Sequence, residues 1–100
     1  MKILAITACP TGIAHTYMAA EYLERVGQGL GHTVKVETQG AMGIENKLTA
    51  EDVAGADALI IAADIPIQGR ERFQGLAQVL EVPVQAAIRN AAEVFGRLRS

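Results

Sequence analysis

Two short stretches restrict what this chain can fold into. Ile3-Leu4-Ala5-Ile6 and Ala58-Leu59-Ile60-Ile61-Ala62-Ala63 are apolar at every position, with no alternation. A strand with one wet face alternates between apolar and polar residues. A strand that is apolar throughout is covered on both faces, as in the middle of a parallel sheet. Parallel neighbours need crossover connections, so helices must lie on both faces of such a sheet. At 100 residues the chain is expected to form one domain, 1–100, with a single modest core.

The remaining elements follow in order. Lys2 to Thr7 reads as the first strand, and an amphipathic helix runs from about His15 to Gly27. That helix is expected to bury Ala19, Tyr22, Leu23, Val26 and Leu30 and to expose Glu21, Glu24, Arg25 and Gln28, with Glu21 and Arg25 paired at i,i+4. Gly27, Gly29 and Gly31 are read as its end. Thr33 to Thr38 alternates, as an edge strand would, and a long loop is expected from Gln39 to Lys47. Thr49 is placed to cap a short helix that carries Glu51 and Asp52 in its first turn and stops near Gly55.

The second apolar run ends at the turn Asp64-Ile65-Pro66. A short charged helix lies between Gly69 and Gly75, a weak edge strand at Gln78 to Leu80, and a last helix starts at Pro83. That helix is expected to bury Val84, Ala87, Ile88, Ala91, Phe95 and Leu98. Strand and helix thus alternate four times. With the two apolar strands in the centre, the fold is α/β: a three-layer open sheet of four parallel strands in the order 2-1-3-4, with helices on both faces, a Rossmann-like or flavodoxin-like half.

In such a sheet the chain leaves the first and third strands in opposite directions, and ligands bind in the crevice outside their carboxyl ends. Cys9 stands at the end of the first strand and Asp64 at the end of the third. Cys9 opens the stretch Cys9-Pro10-Thr11-Gly12-Ile13-Ala14-His15-Thr16, on the turn into the first helix. Backbone N–H groups and the positive end of the helix dipole converge on that turn, where they favour a thiolate and can hold a phosphate. A nucleophile inside an anion cradle points to phosphorylation of Cys9 itself. A cysteine within a strand is more often a small packing residue, but Cys9 lies beyond its strand, beside Gly12 and the hydroxyls of Thr11 and Thr16.

The spacing Cys9-x5-His15-Thr16 is similar to the Cys-x5-Arg-Ser/Thr loop of low-molecular-weight tyrosine phosphatases. Arginine clamps a phosphoryl group with two parallel hydrogen bonds, and His15 cannot form that fork. A loop without the clamp suits a relay better than a hydrolase. Other readings stay open at several positions. His15 is either a donor to phosphoryl oxygens or a helix-start residue in solvent. Thr11 and Thr16 are either phosphate donors or helix caps. Asp64 is either an auxiliary general acid or the turn former before Pro66. Arg70 and Arg72 either face an anionic partner or, the preferred reading, form a solvated helix face.

Composition narrows the class. Nine Lys and Arg against eleven Asp and Glu, with no basic run, argue against a nucleic-acid partner. A single cysteine allows no internal disulfide, as expected in the reducing cytoplasm. No apolar run reaches membrane-spanning length and no signal peptide is visible, so no direct membrane insertion is expected.

The stretch Thr7 to Glu21, TACPTGIAHTYMAAE, closely resembles the phosphocysteine signature of fructose-type enzyme IIB domains of the bacterial phosphoenolpyruvate-dependent sugar phosphotransferase system. The likeness continues through Val36-Glu37-Thr38-Gln39-Gly40, Leu48-Thr49 with Glu51-Asp52, Ala63-Asp64-Ile65 and Arg72-Phe73. It covers about the first three quarters of the chain and fades after Gly75, where Leu76 stands in place of the lysine of the family pattern. The resemblance implies a phosphotransferase. Cys9 accepts a phosphoryl group from a phosphohistidine on the enzyme IIA component and passes it to fructose or a fructose-like sugar held by the membrane-embedded IIC permease. The domain then works in the cytoplasm, docked at the inner face of the plasma membrane, with no cofactor and no metal. The alternative is a phosphatase-like or regulatory phosphocysteine protein built on the same loop.

Overall fold

The structure, a computed structural model, describes residues 1–10 and 13–99, with Ile13 described by its backbone only. The first apolar run forms β1, Lys2–Ala8, and the second forms β4, Ala58–Ala63; the two pair in parallel from Ile3–Ala58 to Ala8–Ala63. β2, Thr33–Gly40, lies parallel on the other side of β1, and β5, Val79–Val82, lies parallel outside β4. The four parallel strands therefore stand in the expected order.

The sheet has a fifth strand, which corrects the expected loop from Gln39 to Lys47 and the edge position of the second strand. β2 continues to Gly40, turns at Ala41-Met42, and returns antiparallel as β3, Gly43–Glu45, giving the order β3-β2-β1-β4-β5. Gly43 takes φ of 91° and Asn46 φ of 55°, the left-handed conformations that let so short a hairpin leave the sheet. β3 left no trace in the pattern because all three of its residues are exposed and it is too short to alternate.

Alternate residues of β1 serve two cores. Ile3 and Ala5 pack with Ala19 and Leu23 of α1, Ile13–Gly29, and with Val84, Ala87, Val94 and Phe95 of α3, Val84–Gly96. Leu4 and Ile6 face the other way, onto Leu48, Leu59, Ile61 and Phe73. That second face is covered by α2, Ala50–Ala54, and by a 3-10 turn, Arg70–Phe73. Thr49 caps α2 in a reciprocal box with Asp52, as the sequence indicates.

Three further details depart from the sequence reading. Gly27 does not end α1: it lies within the helix, where a β-carbon would stand 2.7 Å from Phe95 Cζ and closer still to Val34 Cγ2. Leu30, past the helix end, is 52% exposed rather than buried. α3 is interrupted at Asn90 (φ −156°, ψ 75°), whose Oδ1 accepts from Glu93 N–H at 3.1 Å and so caps the second half.

Candidate functional site

Cys9 follows β1 directly and is half-buried, and α1 begins four residues later. Thr7 ties strand and helix together, its buried hydroxyl donating to the Thr16 carbonyl at 3.0 Å. The first turn of α1 carries no acidic residue, so nothing on it offsets the positive end of the helix dipole. Ala14 and His15 are exposed there, and Thr16 is buried. The hydroxyls of Thr16 and Thr38 are buried without a hydrogen-bond partner among the described residues. Thr11, Gly12 and the Ile13 side chain, which the sequence reading includes in the phosphate loop, lie outside the described residues.

A cleft of about 680 Å³ opens at this point. Cys9 and Pro10 form its base. The β2–β3 hairpin forms one wall, through Gln39, Gly40, Ala41, Gly43 and Ile44, and Ile65, Pro66 and Gln68 beyond β4 form the other. Ala14, His15, Thr16 and Asp64 are not among the described residues that line it. Asp64 stands at the end of β4, where its N–H donates to the Ala8 carbonyl at 3.1 Å and its Oδ1 accepts from Val84 N–H, the first residue of α3, at 3.2 Å.

The sequence reading missed the polar cluster behind the two walls. Glu37 is 0% exposed, on the β2 face that turns away from α1. Its carboxylate accepts four hydrogen bonds: from Arg72 at 2.8 and 3.0 Å, from Gln39 Nε2 at 2.7 Å and from Leu48 N–H at 2.7 Å. Burial by itself pushes the Glu37 carboxyl up; the bonds from Arg72, Gln39 and Leu48 outweigh burial and hold it below the usual range. Arg72 also donates to the carbonyls of Leu48, Gln68 and Gly69, at 3.0, 3.1 and 2.8 Å. All five of its N–H donors are thus engaged. It is therefore a structural cation and not part of a solvated face, whereas Arg70 does lie in the open, paired with Glu81 at 2.6 Å. The one sequence signal for the cluster was a Glu and a Gln two residues apart on a strand near Cys9, but the same alternation fits an edge strand facing water.

Comparison with known proteins bears on what this site does. A family model described as the PTS system, lactose/cellobiose-specific IIB subunit, matches residues 4–97. The chain is 50% identical to the PTS system fructose-like EIIB component 2 of Escherichia coli K12, over 99% of this chain and 92% of that protein. It is 56% identical, over 89% of its length, to a segment making up 13% of the PTS system 2-O-alpha-mannosyl-D-glycerate-specific EIIABC component of E. coli K12. The solution structure of an enzyme IIB subunit of the PTS system from E. coli K12 superposes with a TM-score of 0.87 at 45% identity, covering 95% of this chain and 87% of that one.

Proposed function

The chain belongs to the PTS IIB family, and on that premise we propose that Cys9 is the residue through which it relays phosphate. A fructose-like IIB component is a phosphotransferase of sugar uptake, which leaves the phosphatase-like alternative without support. The observation that carries the assignment of Cys9 is its position: among the described residues it is the one nucleophilic side chain lining a cleft that opens at the carboxyl ends of β1, β2 and β4.

Two steps follow. In the first, the Cys9 thiolate attacks the phosphorus of a phosphohistidine on a IIA component. The N–P bond breaks as the S–P bond forms, and the imidazole leaves with the electron pair. In the second, a hydroxyl of a sugar bound to a IIC component attacks the same phosphorus, its proton passing to a base on the permease. The S–P bond breaks and the thiolate returns. Catalysis of this kind rests on positioning and on donors aimed at the phosphoryl oxygens. We assign that role to the segment Pro10, Thr11, Gly12, Ile13, Ala14, His15 and Thr16, through the backbone N–H groups that follow Pro10, with Thr11, His15 and Thr16 as side-chain donors. Neither step draws on Asp64, which is not among the described residues lining the cleft.

Fructose or a fructose-like sugar fits the naming of the 50%-identical relative, while a segment 56% identical to this chain belongs to a system named for 2-O-alpha-mannosyl-D-glycerate. On this reading the sugar is chosen by the IIC partner. That the latter system joins A, B and C components supports IIA and IIC as partners here; on this reading the domain works in the cytoplasm, docked on IIC at the inner face of the membrane. No helix among the described residues is long and apolar enough to cross a membrane.

The test is an intact-mass measurement after incubation with phosphoenolpyruvate and the upstream phosphorylation proteins. The wild type is expected to gain one phosphoryl group, and Cys9→Ser none, because a serine hydroxyl is far less ionised than a thiol. A Cys9→Ser chain that still carries phosphate to sugar at the wild-type rate would overturn the assignment.

A further inference from the structure

Gln39 lines the Cys9 cleft, but each of its polar atoms is already engaged within the protein. Its Oε1 accepts from Gln68 N–H at 2.8 Å, and its Nε2 donates to the Gln68 carbonyl at 3.0 Å and to Glu37 at 2.7 Å. Both amide hydrogens are used, so the side chain has no donor left for a phosphoryl oxygen. The backbone of one residue in the opposite wall is thus held at both of its polar groups by a single side chain. Arg72 adds a third bond to the same carbonyl at 3.1 Å.

The amide can face only one way. Ionised Glu37 accepts and cannot donate, so Nε2 must point toward it, and Oε1 is left to meet Gln68 N–H. Glu37 is in turn fixed by Arg72 and Leu48. An ordered chain of contacts therefore runs from the buried ion pair, through Gln39, to the wall formed by Ile65, Pro66 and Gln68.

We infer that Gln39 is a positioning residue of the phosphoryl-transfer cleft: by clamping Gln68 it sets the distance between the hairpin wall and the Ile65–Gln68 wall, and so the fit of the phosphorylated donor protein over Cys9. The inference rests on the relay reading above. Cys9 itself is placed by β1 and the start of α1, not by Gln39. Loosening the clamp should therefore weaken reception of the donor and leave the chemistry at sulfur intact.

The experiment measures Cys9 phosphorylation over a concentration series of phosphorylated IIA in wild type, Gln39→Met and Gln78→Ala. Methionine keeps the length and volume of glutamine but removes its hydrogen bonds. Gln78 makes a similar two-way clamp on the backbone of Arg99, remote from the cleft, and serves as the control. Gln39→Met is expected to raise KM for the donor about tenfold with kcat within about twofold, a loss of binding and not of transition-state stabilisation. Gln78→Ala is expected to leave KM unchanged. A KM unaltered in Gln39→Met, or a loss confined to kcat, overturns the inference. Should Gln39→Met not fold, hydrogen exchange in the wild type decides: the Gln68 amide is expected to be protected, and exchange at the open-chain rate overturns the clamp. The relay reading fails separately, when wild-type Cys9 takes up no phosphate at any donor concentration.

Discussion

Arg72 reaches from the 3-10 turn to β2 and holds both carboxylate oxygens of fully buried Glu37, at 2.8 and 3.0 Å. The pair joins two segments far apart in sequence directly behind the cleft. Removing one partner strands the other: a buried carboxylate without its cation is far worse than no pair at all. Arg72→Ala is therefore expected to lower stability by about 3 kcal/mol, the low end for a broken buried pair because the guanidinium is partly exposed. Glu37→Leu combined with Arg72→Met should cost much less. Urea unfolding checks both, and equal losses in the single and double variants would show that packing, not charge, dominates.

Asp52 gives a pH dependence with a definite sign. The hydrogen bond from the Lys35 ammonium and then the Thr49 N–H hold its carboxyl down to about 2. A carboxyl whose pKa is lower folded than unfolded contributes stability above its unfolded value of about 3.9, and loses that contribution as pH falls through its folded value. The stability gap between wild type and Asp52→Asn should therefore be largest above about pH 4 and shrink toward pH 2. Lys35→Met should move the Asp52 carboxyl upward in an NMR titration. An unchanged titration would assign the whole effect to the capping box.

Two glycines of α1 should respond oppositely to alanine. At Gly27 the new methyl would meet Phe95 and Val34, so Gly27→Ala is expected to destabilise by roughly 1–3 kcal/mol through overpacking. At Gly29 nothing lies within 4 Å of the added carbon, and Gly29→Ala is expected to stabilise by roughly 0.4–1 kcal/mol by restricting the unfolded chain. Thermal midpoints that moved in the same direction would contradict this account.

The contrast between those glycines marks what could be read from sequence. β1 and β4 were legible because a strand apolar on both faces has few alternatives, and from them followed the order of the four parallel strands, the crevice and the place of Cys9 at its base. Thr49 was legible because a capping box is a local arrangement. Gly27 was not, since its role is set by Val34 and Phe95, which only the tertiary fold brings near. The same holds for Arg72 and for Gln39. Each acts through a partner distant in sequence, and alternating polar residues on a strand look alike whether they face water or a buried arginine.

Asp64 remains the residue whose two roles can be separated by experiment. Its Oδ1 accepts from Val84 N–H at the start of α3, where Pro83 as the N-cap residue offers no side-chain bond. Asn keeps an oxygen at that position, so Asp64→Asn should retain the cap, whereas Asp64→Ala should lose about 1 kcal/mol. The carboxylate is also the group an acid–base role would need, and Asn abolishes it. Because Asp64 is not among the described residues lining the cleft, Asp64→Asn is expected to transfer phosphate to sugar at close to the wild-type rate. Asp64→Ala should transfer at that rate too, once corrected for the folded fraction. Urea unfolding together with the rate of sugar phosphorylation reads both effects. A transfer rate that fell tenfold or more in Asp64→Asn with stability unchanged would show that the carboxylate takes part in the chemistry.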